Sequence, residues 1–179
     1  MSLPRNIGSV IVKHANPCGI SINKNKLESF NEALSCDPVS AFGGIVSCNF
    51  KINVRLAVEL SKTYFEVVIG KGYEKNALVI LKKKKNLRII DSSKIKLNNF
   101  NSIVSNFSSL LIQTPDNKKL ENKNFHVVSK HKPGHKLFKS LMFAFNVCRY
   151  VKSNAIVLAS NTKTVGIGSG QPSRLDSCK

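Results

Sequence analysis

Apolar and polar residues alternate along the first half of the chain in short blocks that predict strands and helices in turn. The apolar, β-branched run at 8–12 predicts a buried strand, and it ends in Lys-His-Ala-Asn-Pro-Cys-Gly, where Pro17 and Gly19 predict a loop. Further strands are predicted at 45–48, 66–69 and 87–90, and helices at 26–35, 54–62 (with Asn53 as N-cap) and 74–83. This alternation predicts a layered α/β architecture with a largely parallel sheet.

The second half of the chain begins with a less regular stretch. Residues 92–125 are rich in Asn, Ser and Lys and contain one predicted strand at 110–113, and Val127-Val128 predicts a strand fragment. Residues 135–152 predict the strongest helix, because apolar side chains recur there at three- and four-residue spacing, and a strand pair is predicted at 155–158 and 164–167. We therefore expect a first α/β lobe at 1–100, a connecting segment at 101–126 and the start of a second α/β lobe at 127–179.

The formal net charge of +18 raises the hypothesis of nucleic-acid binding. The chain has 23 lysines and 5 arginines, whereas proteins that bind phosphates and bases usually rely on the planar guanidinium group of arginine. Apart from Lys82–Lys85, the lysines are scattered, which is typical of a solvated surface. Nucleic-acid binding is therefore the less favoured hypothesis, although a positive field would attract small anionic substrates.

The cysteine and histidine positions predict no metal site. The five cysteines are widely spread and include no CxxC pair, which argues against a disulfide framework and a thiolate zinc site. His131 and His135 have the spacing of a helical metal pair, but Pro133 and Gly134 lie between them. No apolar run approaches the roughly 20 residues that span a membrane, and the N-terminus lacks a signal-peptide pattern, so we expect a protein of the cytosol.

Two segments in the first half combine reactive or aromatic side chains with tight turns. Lys13 and His14 follow the first predicted strand, where open α/β sheets commonly bind ligands. A cationic neighbour favours the neutral form of His14, which a general base requires, but the local spacing fits an ordinary surface pair as well. At 37–44, Gly43 permits close backbone approach to a ligand and Phe42 offers a flat apolar face, or the segment is a tight turn with a core phenylalanine.

Two further segments follow the long predicted helix. Asn154 lies where that helix gives way to a strand, and its amide can donate and accept hydrogen bonds, which suits a carboxamide or a formyl oxygen. An ordinary helix cap is the alternative. The segment 166–174 predicts a glycine-rich turn that opens a helix and ends in Arg174, which favours a phosphate or carboxylate ligand, and its spacing is not that of a dinucleotide fingerprint.

Six segments, taken in order, resemble one known family: VKHANPCG, DPVSAFGGIV, FEVVIGKGY, ALVILKKKKNLRII, VKSNAIV and GIGSGQPSRLDS. They are similar to the transformylase region of the bifunctional purine-biosynthesis enzymes that combine phosphoribosylaminoimidazolecarboxamide formyltransferase with IMP cyclohydrolase. The segments extend over almost the whole chain. The resemblance implies layered α/β/α units that are cytidine-deaminase-like but lack zinc, present here in incomplete form.

The resemblance also implies an activity and a set of site residues. The implied reaction is formyl transfer from 10-formyltetrahydrofolate, a co-substrate, to AICAR, giving FAICAR in de novo IMP biosynthesis. In the family pattern His14 matches the proton acceptor, and Lys13 matches the residue that stabilises the transition state. The positions that match nucleotide contacts are Gly43, Glu66, Asn154 and Arg174, and those on the folate side are Phe42 and Leu175. The family implies AICAR and folate as partners, no metal, and active sites formed across a homodimer.

The sequence also departs from the family pattern. An Arg-Tyr-Gly-Glu-Asn-Pro-His motif, whose arginine contacts the AICAR phosphate, normally precedes the first segment and is not found in residues 1–12. The family's chains have an N-terminal cyclohydrolase domain and continue beyond the Ser-Arg-x-Asp segment, and Pro172 stands where Met or Gln is usual. We therefore expect a partial transformylase. The alternative is an inactive remnant of the transformylase with at most weak nucleotide binding.

Overall fold

The computed structural model describes residues 3, 6–96, 100–116 and 121–179. They form two compact units, one from the described residues of Met1–Ser93 and Pro133–Lys179 and the other from those of Lys94–Lys132. The strands are β1 (Gly8–Lys13), β2 (Asn16–Ile22), β3 (Ile45–Cys48), β4 (Val67–Gly70), β5 (Arg88–Asp91), β6 (Ser102–Asn106), β7 (Ser109–Gln113), β8 (Ile156–Ser160) and β9 (Lys163–Gly168). The α-helices are α1 (Lys26–Leu34), α2 (Pro38–Ala41), α3 (Val54–Leu60), α4 (Lys75–Lys82), α5 (His135–Cys148) and α6 (Arg174–Cys178).

The first unit contains a seven-stranded mixed sheet with the strand order β5-β4-β3-β1-β2-β9-β8. The neighbours β3–β4 and β4–β5 are parallel, and the other pairs are antiparallel. The expectation of a largely parallel sheet was therefore wrong. Its physical reason is the length of two connections: only two residues join β1 to β2 and β8 to β9, and so short a connection joins antiparallel strands.

The predicted loop around Pro17 and Gly19 is instead the start of strand β2. Ile11 pairs with Gly19 and Val12 with Pro17, which leaves Cys18 as an extra residue in a β-bulge. A proline is tolerated here because the bulge interrupts the ladder of hydrogen bonds. A Cβ atom at Gly19 would lie 1.8 Å from the carbonyl oxygen of Ala33, so the glycine lets α1 pack directly on the strand.

Helices cover both faces of this sheet, because successive side chains of a strand point to opposite faces. On one face Ile11 of β1 packs in a core with Phe30 of α1 and Leu56 of α3. On the other face Val10 packs in a second core with Val147 of α5. The arrangement is a layered α/β/α fold, which confirms the predicted fold class.

Most predicted elements are present, with small shifts at their ends. Asn53 is the N-cap of α3, as predicted, and accepts a hydrogen bond from the backbone N–H of Leu56 at 3.0 Å. The long helix α5 ends at Cys148, earlier than the predicted residue 152. The predicted strand at Val127-Val128 does not form, since both valines are exposed and pair with no described strand.

The second unit contains the hairpin β6–β7, in which Ser102 pairs with Gln113 and the chain reverses at Phe107-Ser108. The predicted strand at 110–113 is β7. The sheet of the first unit takes strands from both sides of the predicted connecting segment 101–126, and the lobe boundaries at 100 and 127 stay a prediction. Among the described residues, no helix has the length and apolar character needed to cross a membrane.

Candidate active site

The strand register brings the ends of several strands to one edge of the sheet, which we call the Lys13 edge. The C-terminal end of β1 lies beside the N-terminal end of β3, because Val12 pairs with Ile45, and parallel pairing extends this edge to the start of β4. On the other side, β2 begins at the same edge, β9 ends there, and β8 begins there. The predicted site residues lie at these strand ends or in the segments that adjoin them: Lys13, His14, Phe42, Gly43, Glu66, Asn154, Arg174 and Leu175.

His14 lies at the tip of the β1–β2 hairpin. His14 and Ala15 have φ angles of 50° and 67°, the left-handed conformation that two-residue hairpin turns of type I′ require at both positions. Side chains with a Cβ adopt this conformation at a cost of about 1–2 kcal/mol per residue, and Asn or Gly is the usual choice. The imidazole of His14 is exposed and has no hydrogen-bond partner among the described residues, so both ring nitrogens are available to a ligand.

Lys13 connects the hairpin to the segment before β3. Its Nζ donates a hydrogen bond of 2.6 Å to the carbonyl oxygen of Phe42, a short, charge-assisted bond. Gly43 follows with a φ of 71°, and a Cβ atom at that position would lie 4.0 Å from the Lys13 Nζ. Lys13, Phe42 and Gly43, which the sequence predicts as site residues from separate segments, are therefore in direct proximity.

Glu66 lies immediately before β4 and is hydrogen-bonded to Gly44, next to the Phe42–Gly43 segment. Its backbone N–H donates to the carbonyl oxygen of Gly44 at 3.0 Å, and its carbonyl oxygen accepts from the N–H of Arg88 at 2.9 Å. These bonds fix the backbone on both sides of the residue. The carboxylate itself is exposed and accepts no hydrogen bond within the described part of the chain, so it can bind a donor from a ligand.

Asn154 uses its amide differently from the expectation. Its Nδ2 donates to the carbonyl oxygens of Gln171 at 3.1 Å and of Pro172 at 2.9 Å, so both amide hydrogens hold the segment before α6. The expected ability to donate to a ligand is therefore taken up internally. The Oδ1 atom accepts no hydrogen bond among the described residues, and it is the part of the side chain that can contact a ligand.

Arg174 and Leu175 begin the short helix α6. Ser173 caps this helix by accepting a hydrogen bond from the N–H of Asp176 at 3.1 Å, so the predicted glycine-rich turn that opens a helix is confirmed. A Cβ atom at Gly168 would lie 1.8 Å from the carbonyl oxygen of Ser177, which places α6 directly against β9. The side chains of Arg174 and Leu175 are exposed. No hydrogen bond or ion pair among the described residues joins them or Asn154 to Lys13 or His14.

The cysteines near the site are poor nucleophiles. Burial raises the pKa of the Cys18 thiol, Asp37 raises it further, and the nearby Lys13 ammonium opposes this shift. Burial also raises the pKa of the Cys36 thiol, against a hydrogen bond from Thr164. Both thiols are therefore protonated at neutral pH, and a thiolate reaction is disfavoured. Within the described residues no group of His, Cys, Asp or Glu side chains is arranged to hold a metal ion.

Two residues near the site were missed by the sequence analysis. Tyr64 lies beside Phe42, with ring centroids 5.4 Å apart, and both rings line a pocket of about 410 Å³ at the same edge. The Oδ1 atom of Asn16, which follows the His14–Ala15 turn, is buried without a hydrogen-bond partner. Neither has a sequence signal, because Tyr64 acts through a tertiary contact and Asn16 stands within a segment where Pro17 and Gly19 predict only a loop.

Comparison with known proteins places the chain in a family. A family model described as the AICARFT/IMPCHase bienzyme matches residues 3–179. The chain belongs to this family. The resemblance that the six sequence segments indicate is thereby confirmed, and it extends over nearly the whole chain.

Curated relatives carry the name bifunctional purine biosynthesis protein PurH. The protein from Prochlorococcus marinus (strain AS9601) is 42% identical over 175 residues, which is 97% of this chain and 34% of the relative. The protein from Petrotoga mobilis is 42% identical over 164 residues, which is 92% of this chain and 32% of the relative. The chain therefore spans about a third of the length of the curated relatives it matches.

Proposed function

We propose that this chain is a partial transformylase that contributes to formyl transfer from 10-formyltetrahydrofolate to AICAR in de novo purine biosynthesis. The observation that carries the proposal is the 2.6 Å bond from the Lys13 Nζ to the Phe42 carbonyl. It fixes the ammonium group at the Phe42–Gly43 segment, and the next residue after Lys13 is the exposed His14. Family membership supports assigning this edge to the transformylase reaction.

His14 is the proposed proton acceptor. Attack of the AICAR amine on the formyl carbon leaves the nitrogen with an excess proton, and the unpaired imidazole at the hairpin tip can take it. The strained turn exposes the ring to a bound substrate, which is the placement that a general base needs. The proton then passes to the departing nitrogen of the folate, so that no proton is gained or lost overall.

Lys13 is the proposed stabiliser of negative charge. As the amine adds to the formyl group, charge develops on the formyl oxygen, and an ammonium aimed at that oxygen lowers the barrier. One hydrogen of the Lys13 Nζ is bound by the Phe42 carbonyl, which leaves two for a substrate. A group held at one point and open at two is suited to this role.

The remaining site residues are proposed to bind the two substrates. Gly43, Glu66, Asn154 and Arg174 would contact the nucleotide, with the Glu66 carboxylate and the Asn154 Oδ1 as acceptors and the Arg174 guanidinium as donor. Phe42, whose side chain is 57% exposed, and Leu175, at 68%, would contact the folate. The co-substrate is 10-formyltetrahydrofolate, no metal is involved, and the family resemblance supports a cytosolic homodimer.

The test is a direct assay of the purified chain with AICAR and 10-formyltetrahydrofolate, in which the formation of tetrahydrofolate is measured. We expect turnover that His14→Ala abolishes and that His131→Ala, at an exposed histidine of the second unit, leaves unchanged. A rate at background for the chain, equal to that of His14→Ala, would contradict a working enzyme and favour the inactive remnant. Thermal stabilisation of such a chain by AICAR would show that the remnant retains nucleotide binding, and a melting temperature that AICAR does not change would count against that binding.

A further inference from the structure

Tyr64 contacts the Phe42–Gly43 segment in two ways. It lies in the connection between α3 and β4, and its backbone carbonyl oxygen accepts a hydrogen bond of 2.8 Å from the N–H of Gly43. Its ring packs against the ring of Phe42 with an interplanar angle of 50°. The Tyr64 Cε1 would also lie 3.8 Å from a Cβ atom at Gly43, so the ring covers the glycine.

These contacts reach Lys13 through one peptide group. The carbonyl oxygen of Phe42 and the N–H of Gly43 belong to the same planar peptide unit, and in a trans peptide they point in opposite directions. Tyr64 holds the N–H end of this unit and Lys13 holds the oxygen end. Because the unit is rigid, any rotation that releases Tyr64 also moves the oxygen that holds the Lys13 ammonium.

We propose that Tyr64 is a positioning residue that sets the place of the Lys13 ammonium through the Phe42–Gly43 peptide group. The ring of Tyr64, 42% exposed, restricts the rotation of this unit by packing on Phe42 and over Gly43. The two hydrogen bonds also polarise the shared peptide group, so that each strengthens the other. The role in catalysis rests on the proposed function of Lys13, but the hold on the ammonium does not.

Substitutions at Tyr64 distinguish the effect of its ring from that of its backbone carbonyl, because every variant retains the carbonyl. Tyr64→Ala removes the ring, and Tyr64→Phe keeps it without the hydroxyl. Tyr150→Ala is the matched control, because Tyr150 is similarly exposed, at 39%, and follows α5, far from Tyr64 in the sequence. Lys13→Arg assigns the Lys13 signal, which it removes from the spectrum.

The test is nuclear magnetic resonance of the ¹⁵N-labelled chain, with exchange of the Lys13 ammonium and of the Gly43 amide as readouts. We expect Tyr64→Ala to accelerate both exchange rates about 2- to 10-fold, the range that follows from losing one aromatic pair. Tyr64→Phe and Tyr150→Ala should leave them unchanged. Equal exchange rates in Tyr64→Ala and the unsubstituted chain would overturn the proposal. An acceleration of exchange in Tyr64→Phe as large as that in Tyr64→Ala would overturn it too.

The rate of formyl transfer, measured in the same variants, links the position of the ammonium to catalysis. We expect kcat about 2- to 10-fold lower in Tyr64→Ala, with KM little changed, and rescue of kcat in Tyr64→Phe. If the unsubstituted chain shows no turnover, the proposed function fails, while the exchange rates still decide the role of Tyr64. Unchanged kcat in Tyr64→Ala together with accelerated exchange would overturn the link between the Lys13 position and catalysis.

Discussion

The two halves of the Lys13 edge use their polar side chains in opposite ways. In the first half, around Lys13 and His14, the imidazole and the Glu66 carboxylate have no partner among the described residues, and the Lys13 ammonium makes one exchangeable bond. In the second half, both amide hydrogens of Asn154 hold the segment before α6. The first half therefore keeps most of its polar groups for a ligand, whereas the second half uses the Asn154 amide hydrogens to hold its own backbone and leaves the exposed Arg174 guanidinium and the Asn154 Oδ1 for a ligand.

The difference follows from what lies beneath each half. The first half rests on strands β1, β3 and β4, whose buried side chains form the larger core with α1, α3 and α4. Its backbone is held by strand pairing, so its side chains need not hold it. The second half ends in a helix of five residues, too short to be stable by itself, and it depends on the side-chain bonds of Asn154 and Ser177.

Adding a methyl group to a tightly packed glycine should have the largest effect, and it should destabilise the first half more than the second. A Cβ atom would lie 1.8 Å from a backbone carbonyl oxygen both at Gly19, under the first half, and at Gly168, under the second. We expect Gly19→Ala to lower the free energy of unfolding by about 3 kcal/mol, because α1 and the main core must shift. Gly168→Ala should displace α6 and lower the free energy of unfolding by less than about 1 kcal/mol.

Urea denaturation of both variants checks this prediction, with Gly134→Ala as control, since no atom lies within 4 Å of a Cβ at that position. Equal losses for Gly19→Ala and Gly168→Ala would show that α6 belongs to the same cooperative unit as the core. The contrast between the two halves would then be lost.

Removing the Lys13 ammonium should affect catalysis more than folding. Lys13→Met keeps the apolar stem and loses one exposed bond to Phe42, so we expect little change in stability. The rate of formyl transfer should fall about 100-fold, since one donor that stabilises charge on a reacting oxygen contributes about 2.7 kcal/mol or more to the barrier. The assay of tetrahydrofolate formation measures this, and Lys71→Met, at an exposed lysine after the opposite end of β4, is the control. A similar loss of rate in both variants would indicate a general charge effect and no specific site.

Removing the Asn154 amide should have the reverse effect. Asn154→Ala loses two hydrogen bonds to the carbonyl oxygens of Gln171 and Pro172, worth about 1 kcal/mol each. We expect faster amide hydrogen exchange in α6, by about 5- to 30-fold, and little change at His14. Unchanged protection of α6 would show that Asn154 does not hold this segment.

Most strands and helices followed from the sequence, but β2, β6, α2 and the contacts at the site did not. Apolar runs and the Asn53 cap located most elements to within a few residues. The antiparallel β1–β2 pair was missed because Pro17 and Gly19 favour a loop, and only the bulge at Cys18 allows them into a strand. The bond from Lys13 to Phe42 and the internal use of Asn154 depend on tertiary packing, which no local pattern encodes.

The smallest predicted effect is a pH dependence in the first half. Hydrogen bonds from Ser40 hold the pKa of Asp37, the N-cap of α2, below its usual value. A carboxyl group whose pKa is lower in the folded state than in the unfolded state stabilises the folded state at pH values above its unfolded pKa of about 3.9. This stabilisation is lost as the pH falls through the pKa that the group has in the folded state. We expect Asp37→Asn to flatten the stability profile below about pH 4. Parallel profiles for both chains in thermal melts at pH 3–7 would contradict this.

The most direct test of the Lys13 edge as the active site is a titration of the ¹⁵N-labelled chain with AICAR, in which the amide chemical shifts are recorded. We expect shifts concentrated at Lys13 and His14, at Gly43 and Glu66, and near Asn154, with those of the first half larger because its side chains are available. Shifts spread over the scattered surface lysines, or none at the Lys13 edge at millimolar AICAR, would contradict the assignment of this edge as the active site.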